Sequence, residues 1–339
     1  MIRRTQNPPS RFMETHIEYE DAPPATLEVY EDHSQTILSK NDSPDVPFTW
    51  SVNPYRGCFH ACSYCYARPS HEYLGFGAGT DFERKIVVKR EAAGLLEAAF
   101  RRPSWAGARV CFSGNTDCYQ PIEKKLELTR ACLEVCLRFR NPVGVITKST
   151  LIRRDLELLK ALHREAGLVV VLSIPFLDSE IASAIEPNAP PPAARLATVR
   201  ALAGAGLPVG ISLGPVIPGL NDRELPAILE AARSAGATWC GMIPVRLPGP
   251  VAEVFVQRLR ETLPEHADRV LNAIRRMRGG ALNQAEFGDR MRGQGPEWAA
   301  TVQLFRLTRR RLGYSSPPPA PRPSPFRVPG QGAQVGLFA

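Results

Sequence analysis

The chain has 339 residues, 44% of them hydrophobic and 22% charged, a composition typical of a globular protein and long enough to bury a substantial core. No stretch approaches the roughly 18 consecutive apolar residues of a membrane span, and the N-terminal "MIRRTQNPPSRFMETHIEYED" lacks the apolar run of a secretory signal, so no membrane partner and a cytoplasmic location are expected. The net charge of +8 is concentrated at one end: residues 306–339 carry six arginines and no acid, leaving 36 basic against 34 acidic side chains before them, so charge alone does not mark a nucleic-acid-binding face.

Residues 1–45 are rich in Pro, Ser and acidic residues without a sustained period, and a loosely structured lead-in is expected there. From "FTWSVNP" onward short apolar runs alternate with helical patterns, the sequence sign of βα units. The expected strands are "TWSVN", "ARVCFS", "VGVITK", "LVVVLSI", "LPVGISL" and "TWCGMIP". Between them, Ile152, Leu156, Leu159 and Leu162 recur on one face of a helix, as do Leu128, Cys132, Val135 and Phe139 on another. Runs such as "LVVVLSI" are apolar on both alternating faces, as parallel strands covered on both sides require. The pattern predicts an α/β fold, a partial (β/α)6 barrel of the TIM type over residues 46–264, with a lateral opening and a site at the C-terminal ends of its strands. Helical patterns then predict a small addition over 265–314. Residues 315–339 form a Pro/Arg-rich tail expected to be disordered, since seven of the 14 residues from Ser316 to Pro329 are prolines.

The segment "NPYRGCFHACSYCYARPSHEY" gathers Cys58, Cys62 and Cys65, three of eight cysteines, just after the first expected strand. In a reducing compartment such a cluster reads as a ligand set rather than a disulfide framework. A structural zinc site needs four ligands, and His60 or His71 is available as the fourth. A four-iron cluster takes one thiolate per iron, so three thiols leave one iron open to a small molecule. Both readings stand on the residues alone: a non-catalytic metal-binding or regulatory protein, or an iron–sulfur site with an open iron.

The x3, x2 spacing, the aromatic Tyr64 before the third cysteine and the position at the first strand–helix junction resemble the radical S-adenosylmethionine (SAM) superfamily over roughly residues 47–245. "SGNTDCYQPIEKKLELTR", "GVITKSTLIRRDLELL", "LSIPFLD" and "GPVIPGLND" resemble more closely the branch that contains spore photoproduct lyase and its uncharacterised bacterial relatives. The resemblance implies a [4Fe–4S] cluster on Cys58, Cys62 and Cys65, with SAM at the open iron cleaved reductively to a 5′-deoxyadenosyl radical that takes hydrogen from a substrate. It further implies Thr116 and Lys148 as holders of the methionine part of SAM, Tyr64 at the adenine, and a reductant such as flavodoxin or ferredoxin; Ser173, at the rim end of "LVVVLSI", reads from its position either as a contact for the carboxylate or ribose or as a helix-entry hydroxyl. The substrate is not identified by the resemblance; a nucleic-acid base is one option.

One departure stands out. Where the lyase carries a hydrogen-donating cysteine after the second strand, this chain has Gly114. Cys118 is the replacement catalytic candidate, with Cys111 as a second, while Cys132 and Cys136 read as helix core. Arg56, Tyr66, Asp117, Tyr119, Glu123 and Arg246, at expected strand ends, are further candidates for substrate contact.

Overall fold

The computed structural model describes residues 6–9 and 26–330. Ten strands are defined among them: β1 (Glu28–Glu31), β2 (Leu38–Lys40), β3 (Trp50–Val52), β4 (Tyr55–Arg56), β5 (Lys85–Val88), β6 (Val110–Phe112), β7 (Val143–Thr147), β8 (Leu168–Ser173), β9 (Val209–Val216) and β10 (Trp239–Pro244). β3, β6, β7, β8, β9 and β10 pair in chain order, every neighbour parallel, and coincide with the six expected strands. β2 adds antiparallel to β3, so β2 and β10 are the sheet's two edges and the barrel is partial. A second small sheet has the order β1-β5-β4.

Alternation along the strands separates an outer from an inner face. Val110, Phe112, Val143, Val145, Val170, Leu172, Val209, Ile211 and Leu213 are sealed under the helices and build the main core. Their alternates Gly144, Ile146, Val171, Ser212 and Gly214 are half-buried and Gly241 is exposed, so solvent reaches the inner face at these positions. Trp239 forms part of the barrel floor: a Cβ on Gly210 would lie 2.1 Å from its indole nitrogen. Of the expected helix stripe, Ile152, Leu159 and Leu162 are buried, but the helix splits into a 3-10 turn over Thr150–Asp155 and an α-helix over Leu156–Glu165. The second stripe lies on the helix Leu128–Arg138, and Cys132 and Cys136 are fully buried as expected.

Two sequence expectations need correction. The lead-in contributes β1, which extends β5, and β2, which extends the barrel sheet: backbone pairing organises a segment whose side chains carry no hydrophobic period. The proline-rich segment 315–330 makes no helix or strand, yet it lies across the N-terminal ends of the barrel strands. Ser315 bonds Thr238 ahead of β10, Pro321 packs on Gly167 ahead of β8, and Arg109 ahead of β6 donates to the carbonyls of Pro318 and Pro319 at 3.1 and 2.7 Å. Phe326 then sits against Phe100 and Phe139, with ring centroids 5.9 and 6.2 Å apart. Proline prevents regular hydrogen bonding but leaves an extended chain free to bury side chains and to offer carbonyls. Residues 331–339 of the expected tail lie outside the described residues.

The helices Pro264–Met277 and Gly295–Arg311 supply the expected C-terminal addition. The loop between them bridges the open side of the barrel. Asn283 accepts from the Leu247 amide just after β10, while Gly288 and Arg290 both bond Asp45, which lies between β2 and β3.

Candidate functional site: a three-thiol loop at the barrel mouth

The loop after β4 is held from several sides. Gly57 enters it at φ +77°, and a Cβ there would lie 2.9 Å from the Lys85 carbonyl oxygen, so glycine is required by both conformation and space. The Cys58 amide donates to Phe82, and Gln120 bridges the loop by accepting from Phe59 N and donating to the Gly57 carbonyl, each at 3.0 Å. Arg68, fully buried, donates to the carbonyls of Cys62, Ala61, Ala78 and Gly79 and pairs with Glu83 at 2.6 Å. Glu83 also lies 3.4 Å from Arg258 of the helix Val251–Thr262, which ties the loop to the far end of the chain.

The three thiols lie on this loop, Cys58 and Cys62 buried and Cys65 half-buried. Burial pushes all three thiol pKa values up, Cys62 to about 12, and the nearby carboxylates of Asp117 and Glu186 add to the shift for Cys58 and Cys62 respectively. The metal-free thiols are therefore protonated at neutral pH, and a metal must displace their protons to bind.

Beside Cys62 lies a buried charge group. Glu186 is ion-paired with Arg195, accepts a hydrogen bond from the Tyr64 hydroxyl, and lies 3.8 Å from the Lys148 ammonium. Lys148 also sits 5.6 Å above the Tyr64 ring. Burial works against its charged form, but Cys62 and Glu186 hold its pKa above the ordinary value. Burial likewise works against the Glu186 carboxylate, yet Arg195 and Lys148 hold it ionised. Asp117, which accepts from the Lys148 amide, is a second acid in this group, so two acids and two bases stand next to the thiols.

Against this geometry stand the comparisons. The family model described as "Radical SAM superfamily" matches residues 52–232. An uncharacterized protein of Mycobacterium tuberculosis, Rv2578c, is 38% identical over 233 residues, 68% of each chain. The chain belongs to the radical SAM superfamily. An uncharacterized protein of Methanocaldococcus jannaschii, MJ0683, is 30% identical over 173 residues, 51% of this chain and 62% of that protein. Among solved structures, a spore photoproduct lyase complexed with dinucleoside spore photoproduct has a TM-score of 0.61 at 17% identity, covering 85% of this chain and 81% of that one. That likeness shows a shared fold over 85% of this chain.

Radical SAM membership makes the fit of the loop to a four-iron cluster the point to test. Three soft thiol donors on one loop suit a cube that takes one thiolate per iron and so spaces them apart. A single zinc ion would require ligands within about 2.3 Å of one point, and among the described residues no three His, Cys, Asp or Glu side chains converge in that way. Each of the two candidate fourth ligands has one ring nitrogen directed elsewhere. His71 Nε2 lies 2.8 Å from the Lys85 carbonyl and its ring packs on Phe76 and Phe82; the His60 Nδ1 faces Asp117 at 3.5 Å.

Two candidates are held away from a ligand: Thr116, which the radical SAM resemblance implied, and Cys118, the replacement for the lyase's donor cysteine. The Thr116 hydroxyl donates to the Tyr55 carbonyl at 2.7 Å and accepts from Asn53 at 2.8 Å, so it fastens β4 to the rim and is not turned to a ligand. Cys118 is fully enclosed in the main core, its amide bonded to Ser113 and its carbonyl to Thr129, which removes it from the cavity; Cys111, by strand alternation, is the thiol that faces inward. Ser173, at the end of β8, pairs with Ser212 on the inner face, and its carbonyl accepts from Arg195. Tyr64 and Lys148 meet at Glu186 beside Cys62. Of the wider candidates, Arg56 pairs with Asp32, Asp117 is held by Thr147 and the Lys148 amide, Tyr119 bonds Asp155, and Glu123 is buried among Tyr55, Thr129 and Arg154; Tyr66 and Arg246 remain at the mouth. Glu186 and Arg195 escaped the sequence reading. Arg195 did leave a signal, because it falls on the buried stripe of its helix with Pro192, Val199 and Leu202, where an unpaired charge would be costly.

Proposed function

We propose that the protein is a radical SAM enzyme in which Cys58, Cys62 and Cys65 hold a [4Fe–4S] cluster and SAM takes the fourth position. The observation that carries the reading is the pairing of a three-thiol loop with a buried lysine ammonium, that of Lys148, immediately beside Cys62. When bound, the cluster supplies the electron that splits SAM reductively, generating the 5′-deoxyadenosyl radical that removes a hydrogen atom from substrate. Arg195 neutralises Glu186 and leaves the Lys148 ammonium available for the methionine carboxylate, a charge-assisted contact in a site largely shielded from water. Tyr64, anchored through its hydroxyl, holds the face of its ring towards Lys148, and Ser173 presents a hydroxyl on the same rim. Arg68 and Gln120 keep the loop in one conformation, so cluster binding does not have to order it.

The reductant in this reading is a small electron carrier such as a flavodoxin or ferredoxin, and the reaction takes place in the cytoplasm; no described helix is long and apolar enough to cross a membrane. Gly114 stands where the lyase has its donor cysteine and Cys118 is enclosed, so neither position returns a hydrogen as the lyase's cysteine does. Anaerobic reconstitution with iron and sulfide, followed by dithionite and SAM, tests the reading through chromatography for 5′-deoxyadenosine. Wild type is expected to form it and Cys62→Ala to lose it. A protein that retains zinc and builds no cluster refutes the assignment.

A further inference from the structure

Arg246 follows β10 directly, at the C-terminal mouth of the barrel where the open side begins. Its guanidinium lies 5.8 Å above the ring of Tyr66, the residue after Cys65. Tyr66 is 50% exposed and donates its hydroxyl to the Gly114 carbonyl beyond β6 at 2.8 Å, so ring and guanidinium together border the entrance to the thiol loop.

Arg246 is short of partners at the mouth itself. Arg68 and Arg195 are buried against Glu83 and Glu186. Arg246 makes no ion pair among the described residues, its Nη1 meets only the weakly accepting Met291 sulfur at 3.4 Å, and its buried Nε has no acceptor. The neighbouring charges make this less favourable still. Arg290 has taken the nearby carboxylate, Asp45, and Arg278 is bound to the carbonyls of Val245 and Arg292. Burial, with the adjacent Arg290, pulls the Arg246 pKa below its ordinary value. A half-buried guanidinium with an unmade hydrogen bond in a positive field is destabilising on its own, and an oxyanion is the group that relieves it. A guanidinium serving only to fix the bridging loop would have its donors on that loop's carbonyls, as Arg278 does.

We propose that Arg246 and Tyr66 form an anion subsite of the substrate site: Arg246 takes a phosphate or carboxylate of the substrate through its planar donor edge, and the Tyr66 ring supports the adjoining planar or apolar part. The term substrate rests on the radical SAM reading; the anion site itself does not. Arg290, 4.2 Å over the exposed Phe287 ring on the bridging loop, continues the alternation of cation and aromatic outward from the mouth, which suits a substrate longer than a single small acid.

The test is isothermal titration of the full-length chain with inorganic pyrophosphate, a short oligothymidylate, citrate and, as the neutral control, thymidine. Saturable binding of one anion class to wild type is expected, with phosphate and carboxylate sources separated by which probes bind. Arg246→Gln should weaken that binding about tenfold or more, Arg246→Lys should weaken it partially because an ammonium retains the charge without the fork, and Arg223→Gln, at an exposed position, should leave it unchanged. If Arg246→Gln does not fold, Arg246→Lys and Tyr66→Leu carry the comparison. Absence of saturable anion binding to wild type, or equal affinity in folded Arg246 variants, overturns the proposal. Formation of 5′-deoxyadenosine by the reconstituted protein is read separately: its failure beside intact anion binding counts against the radical reading and leaves the subsite standing.

Discussion

Replacing Glu186 by Gln removes one negative charge from the pocket beside Cys62 while keeping its shape. In the metal-free protein Glu186 is fully buried, Arg195 is 2% exposed and Lys148 16% exposed, so the change leaves two cations facing each other with little water to screen them. Removing one member of a buried ion pair typically costs about 3–5 kcal/mol, because the remaining charge is left uncompensated. The upper half of that range applies here, since a second cation shares the same acid and the Tyr64 hydroxyl loses a charged acceptor. Urea denaturation of the metal-free protein at pH 7 under reducing conditions, with wild type and variant compared at equal m-value, measures the loss. Adding Arg195→Met to Glu186→Gln removes the stranded cation and is expected to recover most of it. A loss below about 1 kcal/mol for the single variant, or a double variant no better than the single, would refute the claim that Glu186 is the acid on which both cations depend.

Three further outcomes follow from the geometry. Burial pushes the His71 pKa down to about 4, from an ordinary value near 6.5, so below pH 6.5 the unfolded chain takes up a proton that the folded chain refuses; stability is full above pH 6.5 and falls by about 3 kcal/mol as the pH approaches 4, and comparison with His71→Gln in urea titrations at pH 7 and pH 4.5 should show that slope reduced. Gly57→Ala forces a Cβ onto the Lys85 carbonyl at a positive φ and is expected to cost about 1–3 kcal/mol and to lower the iron bound per chain on reconstitution, measured colorimetrically. Phe326→Ala removes a half-buried ring from between Phe100 and Phe139 and should cost about 2 kcal/mol in urea, with increased binding of a hydrophobic dye; no change would show that the proline-rich segment does not hold the barrel floor.

The barrel was legible because its physics is local. Six apolar runs of strand length, separated by helical periods, have few ways to bury both faces other than parallel pairing in chain order, and β3 to β10 adopt that order. The thiol loop was legible for the same reason: Cys58, Cys62 and Cys65 come from one short segment, and their spacing is visible without any fold. Cys132 and Cys136 were separable from them because a helix repeats every 3.6 residues, and Cys132 fell on the apolar stripe.

What stayed hidden depended on partners far apart in the chain. Thr116 reads as a rim hydroxyl until Asn53 and Tyr55, some 60 residues earlier, engage it. Cys118 reads as a loop thiol until the core closes over it, and Glu186 reads as an ordinary acid until Tyr64, Lys148 and Arg195 meet it from three different elements. The proline-rich segment was misread because composition reports what a chain cannot do with its backbone, whereas the sites that receive Phe326 and the Pro318 and Pro319 carbonyls are built by helix ends and a loop far away in sequence. Periodicity and motif spacing, which act within about 20 residues, therefore determined the fold class and the candidate metal-ligand set. Charge pairing, burial and the bridging of the open side act between residues brought together only by folding, and those decided which side chains face the site.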